Sequence, residues 1–422
     1  MHVRIDSSSL LAAAKRLQPF TCRSSRNMSI LGGVRLDAAV SLDGENAGRF
    51  EVEATNLSTA VRAGVTAKVL RTGEFVVDAA ALIKALAGLA GDLELEVVGG
   101  LLKISAGARV VRLQGLDSKD WPKLPRAQLH ALLAVADVEG SYPCLTLADL
   151  ISRPLAAVLS DAQAATFERA DKFKDKDGAD ERDAQRRGLL HLLLRFDGKR
   201  ASATGCNGHM AIQSVMPCHN VVGDTLIPRD EAKRIAQTLR TCTGLPWVGE
   251  LKIDEADVEV TRSFARRFLV INAGQLEIYV RASPVQAAKF PVLQWPAEAR
   301  TTLEVDTSKL FASAKWLSSM APASKIAEFV VGVLGRDRLQ IRVDDPDVGE
   351  SMDMLEIEVS HRGKTADLVW RMSIEYTAIA ADALASDAVE IRLWSAEQPV
   401  VLEQGEQGCV PRVRALIMPC KV

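Results

Sequence analysis

Residues 203–212 read ATGCNGHMAI, in which Gly205 and Gly208 bracket Cys206 and Asn207, and His209 leads into an apolar run. Those residue types at that spacing suit four things: a phosphate cradle, a metal corner, a catalytic histidine or a tight turn. Other chemistry-bearing residues are scattered. The cysteines (Cys22, Cys144, Cys206, Cys218, Cys242, Cys409, Cys420) are odd in number and include no C-x-x-C pair, which argues for reduced thiols and against a zinc site or disulfide frame. The histidines (His2, His130, His191, His209, His219, His361) form no H-x-x-x-H pair, and no G-x-S-x-G elbow supports a serine nucleophile. No catalytic residues are expected, and no metal or cofactor. A G-x-x-x-x-G-K-[ST] loop is missing too, so the chain is not expected to hydrolyse ATP. The acidic run DDPDVGE (Asp344–Glu350) lacks calcium-loop spacing and reads as a turn between strands.

The elements that would position such residues come from an ordinary globular composition. The chain has 422 residues, 48% hydrophobic and 25% charged, enough for two to four domains with cores of their own. Its start, MHVRIDSSSL, lacks the pattern of a signal peptide, and no apolar run reaches the length of a membrane span, so a cytoplasmic protein with no membrane partner is expected. With a formal net charge of −2, any nucleic-acid role must rest on local clustering of basic residues.

Three segments share an opening: MHVRIDSSSLLAAAKRL from Met1, CLTLADLISRPLAAVL from Cys144 and TTLEVDTSKLFASAKWL from Thr301. Each joins a short alternating strand to a Ser, Asp or Thr capping position and an amphipathic helix. A second strand, cap and helix recurs in EFVVDAAALIKALAGL from Glu74, TLIPRDEAKRIAQTL from Thr225 and LVWRMSIEYTAIAADAL from Leu368. Hairpin text fills the intervals, as around Gly99-Gly100 and Asn272 to Gly274. The first two units close alike, on DSKDWPKLP and QAAKFPVLQWP, where proline ends a strand's hydrogen bonding. Such repeats predict an α+β fold of three similar domains, at 1–126, 144–298 and 299–422. Residues 166–188 interrupt the second unit with seven acidic and seven basic residues, and read as a solvated loop or helix extension.

Two strand-helix halves per unit, three units per chain and the motifs SILGGVRLDA, ATNLSTAVRAGV, VDAAALIKALAGL, ATGCNGHMAI, LIPRDEAKRIAQTL, KFPVLQWP and ALIMPCKV resemble the bacterial β sliding clamp, the processivity subunit of DNA polymerase III. The likeness covers nearly the whole chain. Departures mark a divergent member: Asn56 and Asn207 stand where the family usually has Asp, and Gly205 and Cys206 look like two extra turn residues. Met210 takes the place of a common Arg, and Cys420 that of a usual Met.

The resemblance implies a homodimeric, head-to-tail ring around double-stranded DNA, with helices lining the hole and sheets outside, binding without sequence preference. DNA-facing cations would be Lys15, Arg16, Lys84, Arg153, Arg229, Lys233, Arg234, Arg240, Lys309 and Lys315 on the recurrent helices, with Arg23 and Arg26 in the loop after the first. Val111 and Leu113 of one copy would meet the third domain of the other, with Met320 as apolar contact. An ATP-driven clamp loader would open the ring, and a DNA polymerase and other proteins carrying clamp-binding motifs would dock by short peptides. Their cleft would be formed by Thr204, Gly208, His209, Met210, Ala211, Pro291, Tyr376, Pro399, Leu416, Met418 and Pro419. Met210 and Cys420 also suit a clamp paralogue serving a specialised polymerase, a mobile element or drug resistance. An enzyme on a repeated α+β scaffold is the reading from another class, and it would need a cleft of strongly perturbed titratable groups.

Overall fold

Asp6, Asp78 and Asp306 each end a strand and start a helix by the same device. Their carboxylates accept the backbone N–H three residues on, from Ser9, Ala81 and Lys309, at 2.8, 2.7 and 2.9 Å. This satisfies a donor that the first helical turn leaves without a partner. The Ser308 hydroxyl and the Lys309 N–H hold the Asp306 carboxyl below the usual carboxylate range, and Ser8 and Ser9 do the same for Asp6. Behind the caps, Leu10, Ala13, Ala14 and Leu17 are buried on the first helix, and Leu310, Ser313, Ala314 and Leu317 on its counterpart 300 residues later. That spacing puts one stripe of each helix against its sheet.

The computed structural model describes residues 1–22, 29–39, 48–116, 118–122, 152–166, 188–217, 222–242, 246–252, 267–273, 275–281, 290, 291, 293, 295, 299, 301–322, 325–332, 338–361, 368–384, 386–404 and 412–420. The first repeat runs β1 (His2–Asp6), α1 (Ser7–Leu17), β2 (Gly33–Ala39), β3 (Arg49–Thr55), β4 (Thr59–Arg71), β5 (Gly73–Asp78), α2 (Ala79–Ala87), β6 (Asp92–Val98), β7 (Leu101–Ala106) and β8 (Arg109–Leu116). The second runs α3 (Ser152–Ala164), β9 (His191–Asp197), β10 (Arg200–Cys206), β11 (Met210–Pro217), β12 (Val222–Pro228), α4 (Arg229–Leu239), β13 (Pro246–Lys252), β14 (Arg267–Ala273) and β15 (Leu276–Arg281). The third runs β16 (Thr301–Asp306), α5 (Thr307–Met320), β17 (Ile326–Val331), β18 (Arg338–Asp345), β19 (Gly349–His361), β20 (Leu368–Ser373), α6 (Ile374–Leu384), β21 (Ala388–Leu393), β22 (Val400–Gln404) and β23 (Arg412–Ile417). One order of elements thus occurs three times. The expected opening strand of the second repeat, most of the charged insert and the boundaries at 126, 144 and 298 lie outside the described residues.

All strands are antiparallel to their neighbours and form two sheets, each within one of two compact units. The first sheet has the order β1-β6-β7-β8-β5-β2-β3-β4-β15-β14-β13, and the second β12-β9-β10-β11-β23-β22-β21-β16-β19-β18-β17-β20. The second repeat therefore gives β9–β12 to one sheet and β13–β15 to the other. Long-range strand pairing decides this, because the last strand of a repeat pairs with the third strand after the opening helix of another repeat. Leu276 to Val280 of β15 lie opposite Ala63 to Thr59 of β4, and Met210 to Val215 of β11 lie opposite Ile417 to Arg412 of β23. In the first unit α1 packs on α2, and in the second α5 packs on α6. Trp370 stacks on Phe329 at 5.3 Å between ring centroids inside the second unit's core.

An ion network lies within the first sheet. Arg62 on β4 is nearly buried and meets Glu53 at 2.7 Å, Glu51 at 3.4 Å and Glu277 at 3.6 Å, while the Trp121 indole donates to Glu53. Desolvation by burial opposes the Arg62 charge, but Glu53 and Glu51 outweigh it and raise the pKa.

Candidate functional site

The turn between β10 and β11 comprises Asn207, Gly208 and His209, and Asn207 organises it. Its Oδ1 accepts from the N–H groups of His209 and Met210 at 3.0 and 2.8 Å, and its own N–H donates to the Met210 carbonyl at 3.0 Å. Asn56 builds the turn between β3 and β4 identically, accepting from Ser58 and Thr59 at 3.0 and 2.7 Å. An amide oxygen does here what a carboxylate oxygen would do, so Asn in place of Asp keeps the turn. Gly208 adopts φ +86° where Leu57 of the first repeat adopts φ +71°, a region that glycine enters without strain.

Two expectations about this stretch are corrected by the structure. Gly205 and Cys206 are not extra turn residues: they end β10, and Cys206 takes the place of Thr55. A Cβ on Gly205 would collide with the Ala162 carbonyl oxygen of α3, so this glycine serves close approach of strand and helix. The second correction concerns Met210 as a wall of the cleft. Met210 is only 1% exposed and packs with Ala165, Ile212 and the third repeat's core, while Ala211 faces the opposite side. Neighbours on a strand point to opposite faces, so the two could not both line one cleft.

On Ala211's side, Leu193, Cys206, Leu226 and Phe290 form a buried apolar group, with Leu189 and Leu293 partly buried against it. β23 adds Leu416 opposite Ala211, and the chain beyond it is fastened to the turn by the Met418 N–H donating to the His209 carbonyl at 2.8 Å. Met418 is 41% exposed, Gly208 and His209 are exposed, and Pro291, Pro419 and Cys420 are half-buried. Pro399 is half-buried one residue before the Val400–Ile417 pair. Tyr376, on α6, hydrogen-bonds the Asn207 side chain; burial first, then Glu375, pushes its pKa up, and Cys420 adds to this. Thr204 is buried and accepts from the Gln213 side chain at 3.2 Å. Of the expected residues, Ala211, Leu416 and Thr204 share this face of the second unit, with Gly208, His209 and Met418 at the turn beside it, whereas Tyr376 packs against the core group that encloses Met210. Asn207, Phe290 and Leu293 were missed in sequence; the aromatic before proline in KFPVLQWP was the available signal for Phe290.

The helix cations are placed as follows. Lys15, Lys84, Lys233, Lys309 and Lys315 are exposed, as is Arg240 just after α4, and Lys15 and Lys315 occupy the same turn of their repeats. Arg16 donates to the Thr241 carbonyl at 3.0 Å, Arg229 to the Gln163 carbonyl at 3.3 Å, and Arg234 pairs with Glu231 at 2.6 Å. Arg23 and Arg26 lie outside the described residues, as does the Arg153 side chain. α6 carries no basic residue. The acidic run at Asp344 forms the β18–β19 turn, with Asp345 accepting from the Asp347 N–H at 3.0 Å, and no metal-holding group of side chains occurs among the described residues. No described helix is long and apolar enough to cross a membrane.

Comparison with solved structures identifies the class of fold: this is the DNA clamp fold, mixed helix and sheet, over the full length of the chain. The particular likeness is to bacterial DNA polymerase III β subunits. That of Pseudomonas aeruginosa matches with a TM-score of 0.76 at 14% identity, all of both chains being covered. That of Thermotoga maritima matches at 0.73 and 16%, covering 100% of this chain and 99% of the other, and the Caulobacter crescentus protein at 0.73 and 16% over both whole chains. No protein-family profile and no curated protein sequence matches.

Proposed function

We propose that this chain is a DNA sliding clamp, two copies of which close head to tail around duplex DNA and tether a polymerase to its template. The observation that carries the proposal is an edge covered twice and left open once. In β4 and β11 the first residues of the third strand after the opening helix pair with a last strand from the following repeat and are largely buried. In β19 the corresponding residues, Gly349 to Asp353, have no strand on that edge among the described residues and are mostly exposed. Among the described residues β8 has a matching open edge over Arg109 to Gln114, since it meets β5 through Gly115 and Leu116. Open edges of this kind are templates for another copy.

Transferring the β15–β4 register to these edges places Arg109 opposite Asp353, Val110 opposite Met352, Val111 opposite Ser351, Arg112 opposite Glu350 and Leu113 opposite Gly349. Two opposite-charge pairs and one apolar pair result. Val110 and Met352 are 47% and 45% exposed in the single chain. Three repeats per copy make six around DNA. The exposed lysines of the paired helices would meet phosphate ridges without reading bases.

The patch around Ala211, Leu416 and Met418 would take short apolar peptides from the polymerase, the ATP-driven loader and other partners. The clamp would work in the cytoplasm and perform no catalysis. Cys420 beside Tyr376 favours a second reading, a paralogue with altered peptide preference.

The test is retention on DNA. Loaded onto nicked circular duplex by an ATP-driven loader, the protein should stay on circles and run off once they are cut; equal retention on both would rule out a topological hold.

A further inference from the structure

On the face of the second sheet opposite its helices, the far ends of β10, β11 and β23 form an open groove of about 370 Å³. Its lining on β11 lies four to six residues from Ala211, roughly 13 to 20 Å at strand spacing. Val215 and Pro217 give it an apolar floor, while the side chain of Met216 between them, 2% exposed, belongs to the opposite face of the strand. Among the described residues, four cations line it, Lys199 and Arg200 from the β9–β10 hairpin and Arg412 and Arg414 from β23, with one carboxylate, Glu403. That carboxylate is already shared between Arg412 at 2.8 Å and Arg392 at 3.1 Å. Arg414 has a neutral partner: its guanidinium donates to Gln213 Oε1 at 2.6 and 2.9 Å and lies 4.0 Å from the Trp295 ring centre. It is therefore held in place without being neutralised. Burial lowers its pKa; Glu403 opposes this, and the charges of Arg412 and Arg392 add to it.

We infer that this groove binds a short acidic peptide segment in which an apolar residue stands beside one or two carboxylates. Arg412 and Arg414, two apart on one strand, lie on the same face; with Nη2 of Arg412 on Glu403 and Nε and Nη2 of Arg414 on Gln213, each guanidinium keeps a further nitrogen whose N–H groups can make charge-assisted hydrogen bonds to a carboxylate. The groove floor would bury the apolar side chain, and its volume is at the small end of ligand sites. A nucleic-acid backbone fits less well, because phosphate tracking gains nothing from an apolar floor. The site stands on this geometry alone and does not depend on the clamp reading.

Two peptides test it, a fluorescein-labelled Gly-Glu-Leu-Glu-Gly and its Gln counterpart, titrated with the full chain by anisotropy. The Glu peptide should bind more tightly. Arg412→Gln, which leaves Glu403 paired with Arg392, and Arg200→Gln on the exposed hairpin should each weaken it about tenfold. Lys68→Gln, the same charge change on exposed β4, should not. Equal affinity for both peptides, or Glu-peptide binding untouched by both arginine variants, would overturn the inference. So would displacement by a short duplex oligonucleotide whose own binding depends on the same arginines, which would make the site one for nucleic acid.

Discussion

Met210 and Ala211 are adjacent on β11, yet their side chains belong to different apolar groups on opposite faces of the sheet. Met210 is enclosed with Ala165 and Ile212, and Ala211 with Cys206, Leu193 and Phe290. One residue of chain thus separates the second unit's core from the proposed peptide cleft.

Met210→Arg follows directly. A guanidinium at a position 1% exposed would be buried without a partner, at a cost of about 3 kcal/mol or more. Urea unfolding should show the loss as a lower midpoint. An unchanged midpoint would mean that the side chain can reach the surface, restoring Met210 to the cleft.

Met418→Ser addresses the cleft itself. The side chain is partly exposed and only its backbone ties it to His209, so the fold should keep its melting temperature. A labelled peptide with adjacent Leu and Phe should bind about five- to tenfold more weakly, the equivalent of about 1 kcal/mol of lost apolar contact. Undiminished binding would place the peptide elsewhere.

Arg62→Met would leave Glu51, Glu53 and Glu277 close together without their buried cation. Destabilisation of about 3 kcal/mol is expected at neutral pH. The deficit should shrink as the pH falls, since protonating any of these carboxylates relieves their repulsion; thermal melts from pH 7 to pH 4 would read it. A deficit that grows towards acid would contradict the network's role.

Arg112→Glu should weaken the proposed pairing of β8 with β19 of a second copy and raise the monomer fraction in sedimentation. Glu350→Arg in the same chain should restore the dimer, because both charges reverse together. A double variant no better than the single one would mean that the register taken from β15 and β4 does not carry over.

Much of this was legible in sequence because it is local. An aspartate with its oxygen three residues from the next free N–H, followed by apolar residues at helical spacing, gives away α1, α2 and α5, and their recurrence gives away the repeat. The turn at Asn207 was also readable, as one of four options for its residues. Phase and distance were not. Which of Met210 and Ala211 faces the core depends on what covers each face, and Gly205 answers to a helix carbonyl more than forty residues away in the chain. The division of the second repeat between two sheets rests on pairings such as Met210 with Ile417, which no local pattern encodes.

The central claim is a closed ring of two copies, and covalent closure tests it most directly. With Val111→Cys and Ser351→Cys in one chain, the register above would let a disulfide form at each joint after loading onto a nicked circle. Protein should then survive denaturing detergent on the intact circle and be freed by reductant or by cutting the DNA. Protein stripped from intact circles by detergent, despite complete cross-linking into dimers, would contradict it.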